Sequence, residues 1–279
     1  MSQTSALAWI RFLRLPAVLT VPGDVLVGAA LVGAQASLTQ VVSVCAAYLF
    51  GMALNDVVDF PSDCKHRPER PLPKGEIPKQ KALSVCGLLA LLAFFSNPGL
   101  PVAFLLLLIS AYTVYKDNYA ALARVLMGFC RGLALWIGAG SPPHAPPTLL
   151  IAMGLWIALI TWITFLADNE NREIPLVRRQ TFGLTVLWYF APAVGLGLSV
   201  EPSFMSFLPW LVLVWIGTQN FRTIKQQGFL APKNTGVWLS MLIPLQSCFL
   251  FSFGHEGLAT GVLLLYPCLK WSIQKIQIS

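Results

Sequence analysis

Asn55-Asp56-Val57-Val58-Asp59-Phe60-Pro61-Ser62-Asp63, followed by Arg67-Pro68-Glu69-Arg70-Pro71-Leu72-Pro73-Lys74-Gly75, is the stretch on which the reading of this chain turns. It stands where an apolar segment meets water. Three of the chain's 12 acidic residues, Asp56, Asp59 and Asp63, lie within eight positions. Carboxylates that close repel one another unless a cation sits among them. The arginines and lysine that follow offer charge-assisted partners to an anion. A divalent cation held together with a polyphosphate satisfies both demands.

The rest of the chain says what solvent this stretch adjoins. Of 279 residues, 56% are hydrophobic and 11% charged, whereas soluble domains carry about 25% charged residues. Apolar runs recur near 16–36, 40–58, 81–97, 100–116, 119–140, 147–167, 180–200, 204–223, 235–253 and 257–273. A membrane helix needs about 20 such residues. The expectation is an all-α polytopic membrane protein of nine to ten crossings. No linker composition divides it, so residues 1–279 read as one domain. The first run follows Arg11 and Arg14 and reads as a membrane helix, because it continues past signal-peptide length.

Charge orients the bundle. With ten crossings, 18 of the 19 Lys and Arg residues fall in the termini and the alternate loops of one side. The opposite loops hold Glu201, Glu256, His144 and His255 and no Lys or Arg. The positive-inside rule makes the cationic side, with both termini and the Asp56–Gly75 stretch, cytoplasmic. The net charge of +7 then follows from topology and calls for no nucleic-acid partner. Six scattered cysteines without CxxC spacing predict neither a disulfide framework nor a zinc site.

The spacings of three and four between Asp56, Asp59 and Asp63 place all three on one helical face, with Asn55 beside them. Pro61 cannot donate to the helix ladder, so the helix kinks or ends near Phe60. Mg²⁺ takes about six oxygens and commonly bridges one or two carboxylates to substrate phosphates. The plainer reading is an acidic helix end paired with the downstream cations.

Asn55-Asp56-x-x-Asp59-x-x-x-Asp63 with Arg70-Pro71-Leu72-Pro73-x-Gly75 resembles the first signature of the UbiA superfamily of intramembrane prenyltransferases, and the likeness extends over nearly the full chain. It implies a UbiA-like helical bundle with motif loops at the cytoplasmic face. It also implies Mg²⁺ as cofactor, an isoprenoid diphosphate as donor, and a small lipophilic acceptor, usually an aromatic or quinone precursor. On this chain the resemblance assigns metal ligation to Asp56, Asp59 and Asp63, and diphosphate contact to Arg70, with Asn55 and Lys74 close by. Tyr115 and Lys116, in the turn after the fourth segment, match the family's Tyr and Lys in part, though interfacial Tyr and Lys also serve as membrane anchors.

The second signature departs. The family places DxxxD after its sixth helix, where this chain reads Asp168-Asn169-Glu170-Asn171-Arg172-Glu173. Asp168 and Glu170 remain as ligands for a second ion, and Arg172 as a phosphate clamp. Alternatively, Asp168 and Arg172 form an i,i+4 ion pair. A divergent second motif also resembles the EboC-like members, which would bind a lipid-linked diphosphate or prenylate an unusual acceptor.

Asp24 and Arg131 are charges inside apolar runs, at a cost of roughly 2.5–3.5 kcal/mol each on insertion scales. They read as an interhelical pair, as a cationic track running inward from Arg124, or as the coupling pair of a small-molecule transporter. Trp156, Trp162 and Phe165 are candidates for shielding an allylic cation.

Overall fold

The computed structural model describes residues 6–168, 175–199, 204–227 and 232–276. Among the described residues the fold is all-helical. The helices are α1 (Ala6–Phe12), α2 (Leu15–Val18), α3 (Pro22–Leu31), α4 (Leu38–Val58), α5 (Phe60–His66), α6 (Lys79–Ser96), α7 (Leu100–Tyr115), α8 (Ala120–Gly138), α9 (Pro147–Ala167), α10 (Pro175–Leu198), α11 (Phe207–Gln227), α12 (Pro232–Ser240), α13 (Leu242–Ser252) and α14 (Glu256–Ile276).

Helix occupies most of each of the ten apolar runs. Six helices among the described residues are long and apolar enough to cross a membrane, and a seventh span results if the pair Ala6–Phe12 and Leu15–Leu31, bent by 51°, counts as one. Leu100–Tyr115 and Gly183–Leu198 are apolar but shorter. The bend falls at Arg14, whose φ of 47° puts a non-glycine residue in the left-handed region. Where a polar start was available it is used: Ser37 and Gln40 form a reciprocal capping box at the head of α4.

The outside is greasy and the inside is small. Leu88, Phe95, Leu107 and Leu211 point outward, as expected where hydrocarbon replaces water and packing between helices becomes the associating force. Inside, one apolar cluster gathers Phe12, Val25, Phe50, Ile77, Leu105 and Ile137. A second gathers Leu149, Trp156, Trp188, Leu213, Trp238 and Phe249. They meet along α3 and α8, where a Cβ on Gly28 would run into the Leu135 carbonyl and one on Gly138 into that of Val25. Two backbones this close require glycine at both contacts.

A polar node sits on the same seam. Arg131 Nη1 donates to Asp24 Oδ2 at 2.5 Å and to the Thr20 carbonyl at 3.1 Å, while its Nη2 reaches Thr20 Oγ1 at 2.6 Å. Asp24 Oδ1 accepts from Trp156 Nε1 (2.7 Å) and from Gln246 Nε2 (2.6 Å). Asp24 is fully buried and Arg131 nearly so. Of the three readings offered for these charges, the interhelical pair is the one the geometry takes. Arg131 does not continue a track from Arg124. Trp156, engaged with Asp24 and packed edge-on against Phe249, is part of the scaffold and not a cation shield.

Candidate active site

α4 ends at Val58, and Pro61 lies in the first turn of the short α5, so the helix is pinched at Asp59 and then resumes. The i→i+4 backbone bonds from Asp59 N to Asn55 O and from Asp63 N to Asp59 O are kept, at 2.9 and 2.8 Å. Seven residues are about two helical turns, which sets Asp56 and Asp63 on one side. Asp56 and Asp63, seven residues apart, face one guanidinium, while Asp59 turns toward α7. The expected single face of three aspartates is therefore divided in two.

Arg70 Nη1 lies 2.6 Å from Asp63 Oδ2 and 3.4 Å from Asp56 Oδ1. Arg14 Nη2 reaches the same Asp56 oxygen at 3.1 Å, delivered there by the bend between α1 and α2. Asp56, Asp63 and Arg70 are all buried. Lys116, the C-cap of α7, places Nζ 2.5 and 2.6 Å from the two oxygens of Asp59 and 2.5 Å from Asn55 Oδ1. Asn55 Nδ2 closes this group by donating to Asp59 Oδ2 at 3.0 Å.

The segment after α5 is anchored by what it buries. Leu72 and Ile77 are inserted in the core, and Gly75 takes a positive φ of 76°, so that the Glu76 and Ile77 amides turn back to the Pro71 carbonyl. That fold-back holds Arg70 over the aspartates. Lys74 faces outward and bonds Glu76 Oε1 at 2.6 Å, and Arg11 bonds the other oxygen at 3.0 Å. The Lys74 ammonium, with Arg11 assisting, holds the Glu76 carboxyl below its ordinary range. Arg11 thus pins the loop to α1 through Glu76, and Lys74, paired within the loop, does not join the aspartates as expected. Tyr115 is likewise exposed, its ring edge-on to that of Tyr119. A second tyrosine of this helix, Tyr112, is partly buried. It stands four residues before Lys116 and so shares its helical face, a signal present in the sequence.

The second acidic stretch is reached through Asp168, the C-cap of α9. Arg124 Nε donates to Asp168 Oδ2 at 2.6 Å, and its guanidinium lies 4.8 Å from the centre of the Phe165 ring. Asp168 takes its cation from α8. Glu170 and Arg172 lie outside the described residues. Trp162 and Phe165 line a groove of about 620 Å³ between α8 and α9, with Arg124 at its rim. Arg14 and Arg124 are the site cations whose carboxylate partners the sequence did not indicate.

The donor set suits a hard cation, since carboxylate oxygens and an amide carbonyl are what Mg²⁺ selects. Yet among the described residues no three His, Cys, Asp or Glu side chains converge into a metal cage. Asp56, Asp59, Asp63 and Asp168 are each balanced instead by an Arg or Lys. Mg²⁺ usually keeps several waters and bridges one or two carboxylates to a substrate phosphate. These residues therefore fit an ion that arrives with a polyphosphate, which would at the same time draw away the cations now resting on the aspartates.

A family model, the UbiA prenyltransferase family, matches residues 17–228. Among solved structures the chain is similar to a UbiA homologue from Aeropyrum pernix K1, at 15% identity and a TM-score of 0.62, covering 84% of this chain and 96% of that one. A UbiA homologue from Archaeoglobus fulgidus bound to GPP and Mg²⁺ aligns at 14% identity and a TM-score of 0.59, over 92% and 99% of the two chains. A structure of digeranylgeranylglyceryl phosphate synthase aligns at 14% and 0.55, over 92% and 98%. No curated protein matches significantly. The first motif, the helical bundle and a match across three quarters of the chain agree, and this integral, multi-pass membrane protein belongs to the UbiA prenyltransferase family.

Proposed function

We propose that the chain, acting as one unit over residues 1–279, is a Mg²⁺-dependent prenyltransferase. It takes an isoprenoid diphosphate at the charged end of α4, α5 and α7 and alkylates a small lipophilic acceptor, an aromatic or quinone precursor. The observation that carries this reading is the interleaving of Asp56, Asp59 and Asp63 with Arg14, Arg70 and Lys116 at one end of an otherwise apolar bundle. The positive-inside rule assigns this end to the cytoplasm.

In this reading Asp56, Asp59 and Asp63, with Asp168 and Glu170 from the second stretch, would hold the metal, which supplies Lewis-acid neutralisation of the leaving diphosphate. Arg70 and Lys116, released from the carboxylates, turn to phosphate oxygens, and Arg14 is placed to follow. The allylic C–O bond breaks with its electron pair leaving on the diphosphate. The acceptor's electron pair forms the new bond to carbon, and the acceptor gives up a proton. The apolar interior keeps water from the cation in between.

Lys116→Ala tests the clamp. Its side chain is mostly buried, and a hydrogen bond to a charged group is worth about 1.5–3 kcal/mol. Affinity for geranyl diphosphate in Mg²⁺ is expected to fall about 10- to 100-fold by the usual conversion. Unchanged affinity in the variant would remove Lys116 from the site.

One observation favours a second reading. Asp168 is already engaged by Arg124, and a chain that keeps that pair would bind a lipid diphosphate without standard turnover. Diphosphate release in the presence of an acceptor separates the two readings.

A further inference from the structure

One face of α4 runs inward from the charged end and is not filled by packing. Tyr48, Met52 and Asp56 recur at spacings of four and share that face. The face looks into the bundle, because Arg14 donates to Met52 Sδ at 3.6 Å and to Asp56 Oδ1 at 3.1 Å. At its inner end the Arg131 guanidinium lies 5.4 Å from the centre of the Tyr48 ring. Met52 and Tyr48 are nonetheless only partly buried, whereas Asp56 and Arg131 are buried. Inward-facing side chains that stay accessible border a space. That space closes at the level of Tyr48, where Arg131 of α8 crosses to Thr20 and to Asp24 of α3. The arginine is a crossbar joining α8 to α3 beside α4. Farther from the charged end, α3 and α8 meet backbone to backbone at Gly28 and Gly138, and Gln40 Nε2 of α4 donates to the Ile137 carbonyl of α8 at 2.9 Å. The three helices thus enclose a wedge, open toward the aspartates and shut behind Arg131.

We infer that the donor's isoprenoid tail lies in this wedge, over Met52, and that Tyr48 backed by the Arg131 crossbar ends it after two isoprene units. This rests on the prenyl-transfer reading and adds which donors that site takes: dimethylallyl and geranyl diphosphate, and not their longer homologues. Depth sets the limit. Tyr48 precedes Asn55 by seven residues and Arg131 follows Arg124 by seven. Both therefore stand about 10 Å along their helices from the charged end. Three backbone bonds extend about 3.3–3.6 Å, so the four chain bonds of one isoprene unit extend about 4.5 Å. Two units fill the depth, and a third meets the crossbar. Arg131 cannot step aside cheaply, because Asp24 is fully buried and its other oxygen is held by Trp156 and Gln246. An apolar stop yields by changing rotamer, whereas a displaced buried charge loses its partners.

The test is competition by dimethylallyl, geranyl, farnesyl and geranylgeranyl diphosphates against tritiated geranyl diphosphate, on full-length protein in nanodiscs with Mg²⁺. The parent is expected to bind geranyl about tenfold or more tighter than dimethylallyl diphosphate, for the further carbons buried. Farnesyl and geranylgeranyl diphosphates should bind at least about tenfold more weakly than geranyl, since they overfill a packed interior. Tyr48→Ala opens room for a third unit and should raise the farnesyl-to-dimethylallyl affinity ratio about tenfold. Tyr48→Trp shortens the wedge and should lower the geranyl-to-dimethylallyl ratio. Dimethylallyl is too short to reach position 48, so a general loss of fold moves every donor together and leaves both ratios unchanged. Affinity that keeps rising with length in the parent, or ratios that move in neither variant, would overturn the inference and leave the transfer reading standing. Absence of binding by every donor to the folded parent would overturn the transfer reading itself, and this inference with it.

Discussion

Arg70→Ala should be the most damaging single change at the charged end, and its damage should be repaired by Mg²⁺. Arg70 holds both Asp56 and Asp63, and all three side chains are buried. Removing one partner of a buried ion pair costs about 3–5 kcal/mol, because the remaining charge is left uncompensated. Asp56 keeps Arg14, but Asp63 has no other cation among the described contacts. Two carboxylates released in this way form a better site for a divalent ion than the parent protein offers. Thermal melts in detergent should therefore show the variant well below the parent in chelator and much nearer to it in millimolar Mg²⁺, since a ligand that binds only the folded state stabilises by mass action. Arg70→Lys keeps a charge but loses the planar fork and should fall between them. If the variant melts with the parent, or Mg²⁺ moves both equally, the aspartates are not the ion's ligands.

Asp24→Ala is the second large effect, and it bears on scaffold and not on chemistry. Asp24 accepts from Arg131, Trp156 and Gln246, joining α3 to α8, α9 and α13 on the seam between the two apolar clusters. Without it Arg131 is a buried cation holding only Thr20, with Tyr48 5.4 Å below its guanidinium. The expected loss is again about 3–5 kcal/mol, seen as low yield of folded protein and an early melt. Arg131→Leu alone strands the carboxylate at similar cost. The double variant Asp24→Ala with Arg131→Leu should recover most of the loss, since apolar replacement of both partners is often neutral. A double-mutant cycle with no coupling between the two positions would contradict the geometry.

How much of this was legible in the sequence can be followed residue by residue. The helices were, because long apolar runs ended by Pro, Gly and charge have little choice in a bilayer, where every backbone group must be paired within the helix. Helix occupies most of each of the ten runs, and among the described residues six helices are long and apolar enough to cross a membrane. The aspartates were legible as a cluster, but their partition was not. Asp56 and Asp63, about two turns apart, share Arg70, whereas Asp59 belongs to Lys116. Which cation each would meet is not written in the spacing alone. Arg14 was hidden because its reach to Asp56 depends on a left-handed turn at a non-glycine residue. Arg124 was hidden because a pair 44 positions apart can be seen only once α8 and α9 lie side by side. Gln246 had a usable signal, a lone amide inside an apolar run, since such a residue normally finds an interhelical partner.

The measurement closest to the central claim is equilibrium binding of radiolabelled geranyl diphosphate to the purified protein in Mg²⁺ and in chelator, with Asp59→Asn in parallel. Asp59 suits this role because it is partly exposed and its loss leaves Lys116 a remaining partner in Asn55, so the variant should stay folded. The account predicts saturable binding in Mg²⁺ that disappears in chelator and weakens about tenfold or more in the variant, the equivalent of at least 1.4 kcal/mol. Binding that ignores both Mg²⁺ and Asp59, or no binding by folded protein to isoprenoid diphosphates of any length, would contradict it.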